Sequence, residues 1–229
     1  MKTIGLLGGM SWESTVGYYQ VMNEEVKVRL GGLHSAKILM YSVDFAELRE
    51  LMLTCDWVSI GNHLADAARM LEQGGADMIV IGTNTMHKVA PQIQAAVSVP
   101  VVHVADATAD AVRELGFSSV GLLGTLFTME DDFYTGRLKD HGLEVLVPNA
   151  EDRQLVDRII FDELCKGVLE GASRTEYLRI IEEMASRGAQ VIVLGCTEIG
   201  MLVRSGDTDI PTLDTCRVHA TKSVDTALA

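Results

Sequence analysis

Residues 188–195 read Gly-Ala-Gln-Val-Ile-Val-Leu-Gly and residues 75–82 read Gly-Ala-Asp-Met-Ile-Val-Ile-Gly, the same pattern at an offset of 113 positions. Each is a glycine-led run of β-branched and aliphatic residues that halts on a glycine. A short apolar run without polar alternation fits a strand covered on both faces, as strands of parallel sheets are. One run delivers Thr83 to its carboxyl end and the other delivers Cys196. Two further echoes lie in the same order: Ile4-Gly-Leu-Leu-Gly8 against Val120-Gly-Leu-Leu-Gly124, offset 116, and Val99-Pro-Val-Val102 against Ile210-Pro-Thr-Leu213, offset 111. Three ordered repeats at nearly one spacing indicate an internal duplication.

The intervening sequence supplies helices for two such halves. Strands are expected over residues 3–8, 37–43, 99–104, 118–123 and 143–147, besides the two that end at Thr83 and Cys196. Helices are expected over 10–30, 57–73, 106–115, 151–169 and 174–187, with another starting at Thr128. Thr128-x-x-Asp131 and Ser173-x-x-Glu176 fit the capping-box pattern. Alternating strands and helices imply parallel sheets with right-handed crossovers. The expected fold is two pseudosymmetric three-layer α/β domains with parallel four-stranded sheets and the active site in the cleft between them. Residues 1–104 plus 207–229 form the first domain and 105–206 the second.

With 229 residues, 48% of them hydrophobic, the chain can fill a sizeable core. Its formal charge of −13 argues against a nucleic acid or an anionic membrane as partner, because both require a basic face. The N-terminal apolar run is too short and glycine-broken for a signal peptide, so a cytoplasmic location is expected. The four cysteines, Cys55, Cys165, Cys196 and Cys216, show no C-x-x-C spacing, which suggests neither a zinc site nor a redox dithiol. Gly5-x-x-Gly8-Gly9 matches no dinucleotide or Walker fingerprint. It reads as a tight turn that brings backbone amides close to a small ligand.

Four segments, Gly8-Gly-Met-Ser-Trp-Glu-Ser-Thr15, Thr83-Asn-Thr-Met-His87, Leu122-Leu-Gly-Thr125 with Thr128-Met129, and Gly195-Cys-Thr-Glu198, together resemble the landmarks of the aspartate/glutamate racemase family. The resemblance implies an amino-acid racemase with no cofactor, acting on a small-molecule amino acid substrate, and a homodimer. It implies that a thiolate removes the α-proton and an acid on the other face returns one. Family members carry a cysteine at both strand ends, whereas this chain has Thr83 at the first, as a threonine/cysteine branch does. Aspartate racemases also carry an arginine after the second strand, where this chain reads Tyr41-Ser-Val-Asp-Phe45, and a lysine near the position of Cys165.

On this reading Cys196 and Thr83 are the catalytic pair, with Cys196 acting on the L enantiomer. The amide-rich loop after its strand is expected to lower the Cys196 pKa. Thr83 donates a hydrogen bond or relays a proton through water, since its hydroxyl is too weakly acidic to serve as a base. Asn84, Thr85 and Thr197 are expected to hold the substrate carboxylate and the developing carbanion, while Met10, Ser11 and Thr125 close the cleft. Glu198 receives the α-ammonium, caps a helix or pairs with a cation, and His87 orients its loop or is structural. Cys55, Cys165 and Cys216 are expected to be inert. Two other readings stay open: a single-cysteine proton-transfer enzyme such as a decarboxylase or maleate isomerase, and a non-catalytic binder of small acids.

Overall fold

A computed structural model describes residues 1–204 and 206–229. Chain contacts divide it into two units, Met1–His103 with His219–Ala229, and Val104–Val218.

The first unit contains β1 (Ile4–Gly8), α1 (Trp12–Leu30), β2 (Ile38–Ser42), α2 (Phe45–Leu53), α3 (Trp57–Gln73), β3 (Met78–Ile81), a 3₁₀ turn over Thr85–Val89, α4 (Ala90–Ala96) and β4 (Val101–Val102). Its four strands are parallel in the order β2-β1-β3-β4. The second unit contains α5 (Val104–Glu114), β5 (Ser119–Leu123), α6 (Leu126–Glu130), α7 (Asp132–Asp140), β6 (Glu144–Leu146), α8 (Ala150–Asp162), a 3₁₀ turn over Leu164–Lys166, α9 (Gly171–Ser186), β7 (Val191–Leu194), α10 (Ile199–Leu202) and β8 (Thr212–Asp214). Its sheet is also parallel, in the order β6-β5-β7-β8. The division between the units falls within α11 (Thr215–Leu228).

The duplication is written into the register. Leu6 pairs with Val80 in the first sheet and Leu122 with Val193 in the second, positions that the two strongest sequence echoes make equivalent. The third echo resolves into β4 and β8, each pairing with the third strand of its sheet. Every residue of β1, β3, β5 and β7 is buried, which explains their unbroken apolar sequences. In the second unit, Val191 and Val193 pack with Val120, Leu122, α5 and α7 on one face. Ile192 and Leu194 pack with Leu123, α8 and α9 on the other. Three layers follow from that alternation.

Several expected boundaries are corrected. Residues 207–218 belong to the second unit, because β8 must pair with β7 to complete its sheet and Asp207 pairs with Arg174. Only His219–Ala229 join the first. Helices α2 and α4, capped by Asp44 and opened by Pro91 respectively, were not expected. The helix foreseen over 151–169 ends at Asp162 and is followed by the 3₁₀ turn. Neither capping box forms: α6 starts earlier, with Thr125 Oγ1 accepting from the Thr128 N–H, and α9 starts at Gly171, leaving Ser173 buried in its first turn.

Candidate active site

Both candidate strand ends close in the same way. The Gly82 N–H donates to the Leu7 carbonyl at 2.8 Å and the Gly195 N–H to the Leu123 carbonyl at 2.6 Å. A Cβ at Gly195 would stand 2.7 Å from that carbonyl oxygen, closer than real Cβ contacts come. Glycine therefore lets the chain leave the sheet against its neighbour's backbone, and the next residue is Thr83 in one unit and Cys196 in the other.

In the first unit, β1 and β3 are adjacent parallel strands, so Met10–Ser11 and Thr83–Thr85 lie at the same carboxyl edge of the sheet. The turn after β1 is fixed by Gly9, whose φ of 89° suits glycine and whose added Cβ would lie 2.3 Å from the Val43 carbonyl oxygen. Its N–H donates to Thr15 Oγ1 at 2.8 Å, and that hydroxyl donates to the Ser11 carbonyl at 2.8 Å. Ser11 caps α1, accepting from the Ser14 N–H at 3.3 Å. Thr83, Asn84 and Thr85 are all buried.

A cluster missed by the sequence reading lies behind Thr83. His87 Nδ1 bonds the Thr83 carbonyl at 2.8 Å. The His87 ring sits 4.5 Å from that of His103 and 5.5 Å from that of His219, centroid to centroid. His219 Nε2 donates to the Val102 carbonyl at 2.8 Å, and Nδ1 is 2.9 Å from the Tyr18 hydroxyl. Burial holds the His87 pKa well below its usual value, and the two neighbouring histidines add to this. His87 is thus a neutral imidazole with its proton on Nδ1.

In the second unit, Thr125 follows β5 and Cys196, Thr197 and Glu198 follow β7, again adjacent strands ending at one edge. All four side chains are buried. Cys196 Sγ donates to Glu198 Oε2 at 2.9 Å, and Thr197 Oγ1 donates to the same oxygen at 2.9 Å. The expectation of a lowered thiol pKa is overturned. Burial pushes the Cys196 thiol well up, the Glu198 carboxylate raises it further, and nearby Cys165 adds to the effect. The amide that counteracts these, the Glu198 N–H, is too weak to win. Glu198 stands at the start of α10 but makes no side-chain cap, so the helix-capping role is also set aside.

Asp214 was not foreseen. It ends β8, accepts from the Cys216 N–H at 2.8 Å, and is pushed up chiefly by burial. Cys216 is buried, with its thiol raised by burial and by Asp214. Lys166 reaches Asp162 on the exposed surface, and no arginine stands between β2 and Asp44, which caps α2. Among the described residues no group of three or more histidine, cysteine or acidic side chains is arranged to hold a metal ion, and no helix is long and apolar enough to cross a membrane.

Two like parallel α/β units, the second carrying a thiol bonded to a carboxylate at a strand end, define a duplicated α/β protein with a candidate reactive thiol. The chain belongs to the Asp/Glu/hydantoin racemase family, whose model matches residues 7–222. It is 50% identical to a proposed Asp/Glu racemase from Yersinia pestis, whose crystal structure superposes with a TM-score of 0.92 over 100% of both chains. It is 34% identical to an aspartate racemase homologue from Pyrococcus horikoshii OT3, with a TM-score of 0.83 over 100% of both chains. A broad-specificity amino-acid racemase of Bacillus subtilis, RacX, is 24% identical over 99% of this chain and 98% of its own.

Proposed function

We propose that this protein racemises a free amino acid without a cofactor, Cys196 taking the α-proton from the L enantiomer and Thr83 serving the opposite face. The observation that carries the reading is the buried 2.9 Å bond from Cys196 Sγ to Glu198 Oε2. A thiol whose pKa is pushed up by burial is a poor base unless its proton has somewhere to go. Glu198 is the acceptor within hydrogen-bond reach. The Sγ proton passes to Oε2, the thiolate takes the α-hydrogen as a proton, and the electron pair of the C–H bond stays on the substrate as a carbanion. A proton then returns to the other face from the Thr83 hydroxyl, which is refilled from a water molecule; the proton held by Glu198 neutralises the hydroxide so formed, and thiol, carboxylate and hydroxyl regain their starting forms. Glu198 therefore acts on the thiol, in place of the ammonium-binding role expected from sequence. Asn84, Thr85 and Thr197 supply donors for the carboxylate, where negative charge grows as the carbanion forms. Met10, Ser11 and Thr125 are assigned to enclosing the substrate.

The threonine makes the two faces unequal in α-proton exchange, because a thiolate and a hydroxyl are unequal bases. The homodimer implied by the family resemblance is part of the proposal. It is supported by an apolar groove of about 390 Å³ lined by Trp12, Val16, Tyr19 and Met40, all exposed. The experiment for the catalytic assignment is Cys196→Ser, nearly isosteric and far less acidic. It should abolish α-proton exchange into solvent with the fold intact, and exchange at the wild-type rate would remove Cys196 from the mechanism.

A further inference from the structure

His87, His103 and His219 come from three places in the chain: the 3₁₀ turn after β3, the residue that follows β4, and α11. All three side chains are buried. A carbonyl oxygen can only accept, so the partners assign the protons: Nδ1–H of His87 faces the Thr83 carbonyl, and Nε2–H of His219 faces the Val102 carbonyl. With the Nε2 proton directed at that carbonyl, Nδ1 is left 2.9 Å from the Tyr18 hydroxyl, placed to accept from it. The His219 ring is therefore held at both nitrogens, and the His87 ring is packed against it and against His103. The His87 N–H also donates to the Asn84 carbonyl at 3.0 Å, tying the ring's own backbone to the same turn.

We infer that His87, braced by His103 and His219, is a positioning residue that aims the Asn84 N–H at the substrate by fixing the Thr83 carbonyl. The link is covalent. The Thr83 carbonyl and the Asn84 N–H belong to one planar trans peptide and point in opposite directions. Holding the carbonyl toward the histidines turns the amide away from them, and a rigid amide donor serves charge that develops in the transition state because it need not reorient. Thr83 N–H, already bonded to the Ile81 carbonyl at 2.8 Å, fixes the other side of the residue. His87 touches neither proton in transit; it acts through the peptide.

This inference rests on the racemase reading for its kinetic arm, and it has an arm that does not. His87→Leu keeps bulk but removes the donor. It should lower kcat about tenfold, the size of one neutral hydrogen bond near 1.4 kcal/mol, with KM nearly unchanged. His87→Asn places an amide nitrogen where Nδ1 stands and should restore kcat to within about threefold of wild type. His87→Gln, whose nitrogen falls nearer the Nε2 position, should lose activity as the leucine variant does. Thermal melts establish that each variant is folded. In parallel, the Asn84 amide is followed by ¹H–¹⁵N NMR, where its resonance should move in the leucine and glutamine variants and stay in the asparagine one. A folded leucine variant with wild-type kcat and an unmoved Asn84 resonance overturns the inference, as does equal loss in all three variants. Should wild type exchange no α-proton from any amino acid, the racemase reading fails, and the Asn84 resonances alone then decide whether His87 positions the peptide.

Discussion

Replacing Glu198 by glutamine separates two effects that the structure couples. The substitution keeps the size of the side chain and an oxygen that can accept from Thr197 Oγ1, which lies 2.9 Å from Oε2. It removes the negative charge that, after burial, contributes most to pushing up the Cys196 thiol. The thiol should therefore titrate at lower pH in the variant, read from thiolate ultraviolet absorbance against a Cys196→Ser background. A lower pKa alone would make Cys196 a more available base and raise activity near neutral pH. If Glu198 is the acceptor of the thiol proton, general-base assistance is lost as well, which is worth about 10²- to 10⁴-fold. The larger effect wins, and kcat/KM for the L enantiomer should fall by about that factor although the thiol has become more acidic. The assay is the initial rate of α-deuterium incorporation in deuterium oxide, with thiol titration on the same preparation. A folded Glu198→Gln protein that exchanges protons within about threefold of wild type would show that Cys196 discharges its proton elsewhere.

Deuterium should enter the L enantiomer faster than the D enantiomer, because the thiolate outmatches the Thr83 hydroxyl as a base; equal initial rates would contradict the unequal pair. Thr83→Cys, kept reduced, should raise exchange from the D enantiomer, by no more than the roughly 10²- to 10⁴-fold that a second acid–base group supplies, and no gain would make Thr83 a turn residue only. Folding stability should carry an acid-sensitive component. His87 stays neutral in the fold, buried beside His103 and His219, while the unfolded chain takes up that proton below about pH 6.5, so stability present above that pH is lost as the pH falls. Urea titrations of wild type and His87→Asn should show the smaller acid loss in the variant, and identical losses would place the acid sensitivity elsewhere.

The sheets were legible because their central strands are buried on both faces, which leaves Ile4–Gly8, Met78–Ile81, Ser119–Leu123 and Val191–Leu194 as apolar runs closed by glycine. The repeat also matches Val101 with Thr212, and the two pair with the equivalent residues Ile79 and Ile192. Short helices were less legible. Nothing in Phe45–Leu53 or Ala90–Ala96 repeats long enough to set a helical period, and the cap of α6 is Thr125 because the turn after Gly124 places its hydroxyl before Thr128. At the site, Cys196 and Glu198 were identifiable as neighbours in sequence, but the sign of the thiol's pKa shift was not. It depends on burial and on a side-chain bond between positions two apart. His219 carried no local signal, since its partners Tyr18 and Val102 lie 201 and 117 residues away.

The central claim is that this chain moves the α-proton of an amino acid. Incubating the protein with a panel of L and D amino acids in deuterium oxide, and following the α-proton by NMR, tests it most directly. At least one L amino acid should lose its α-proton signal, with its enantiomer appearing and both changes depending on Cys196. Retention of every α-proton across the panel by a folded, reduced protein would contradict it and leave a binder of small acids as the better description.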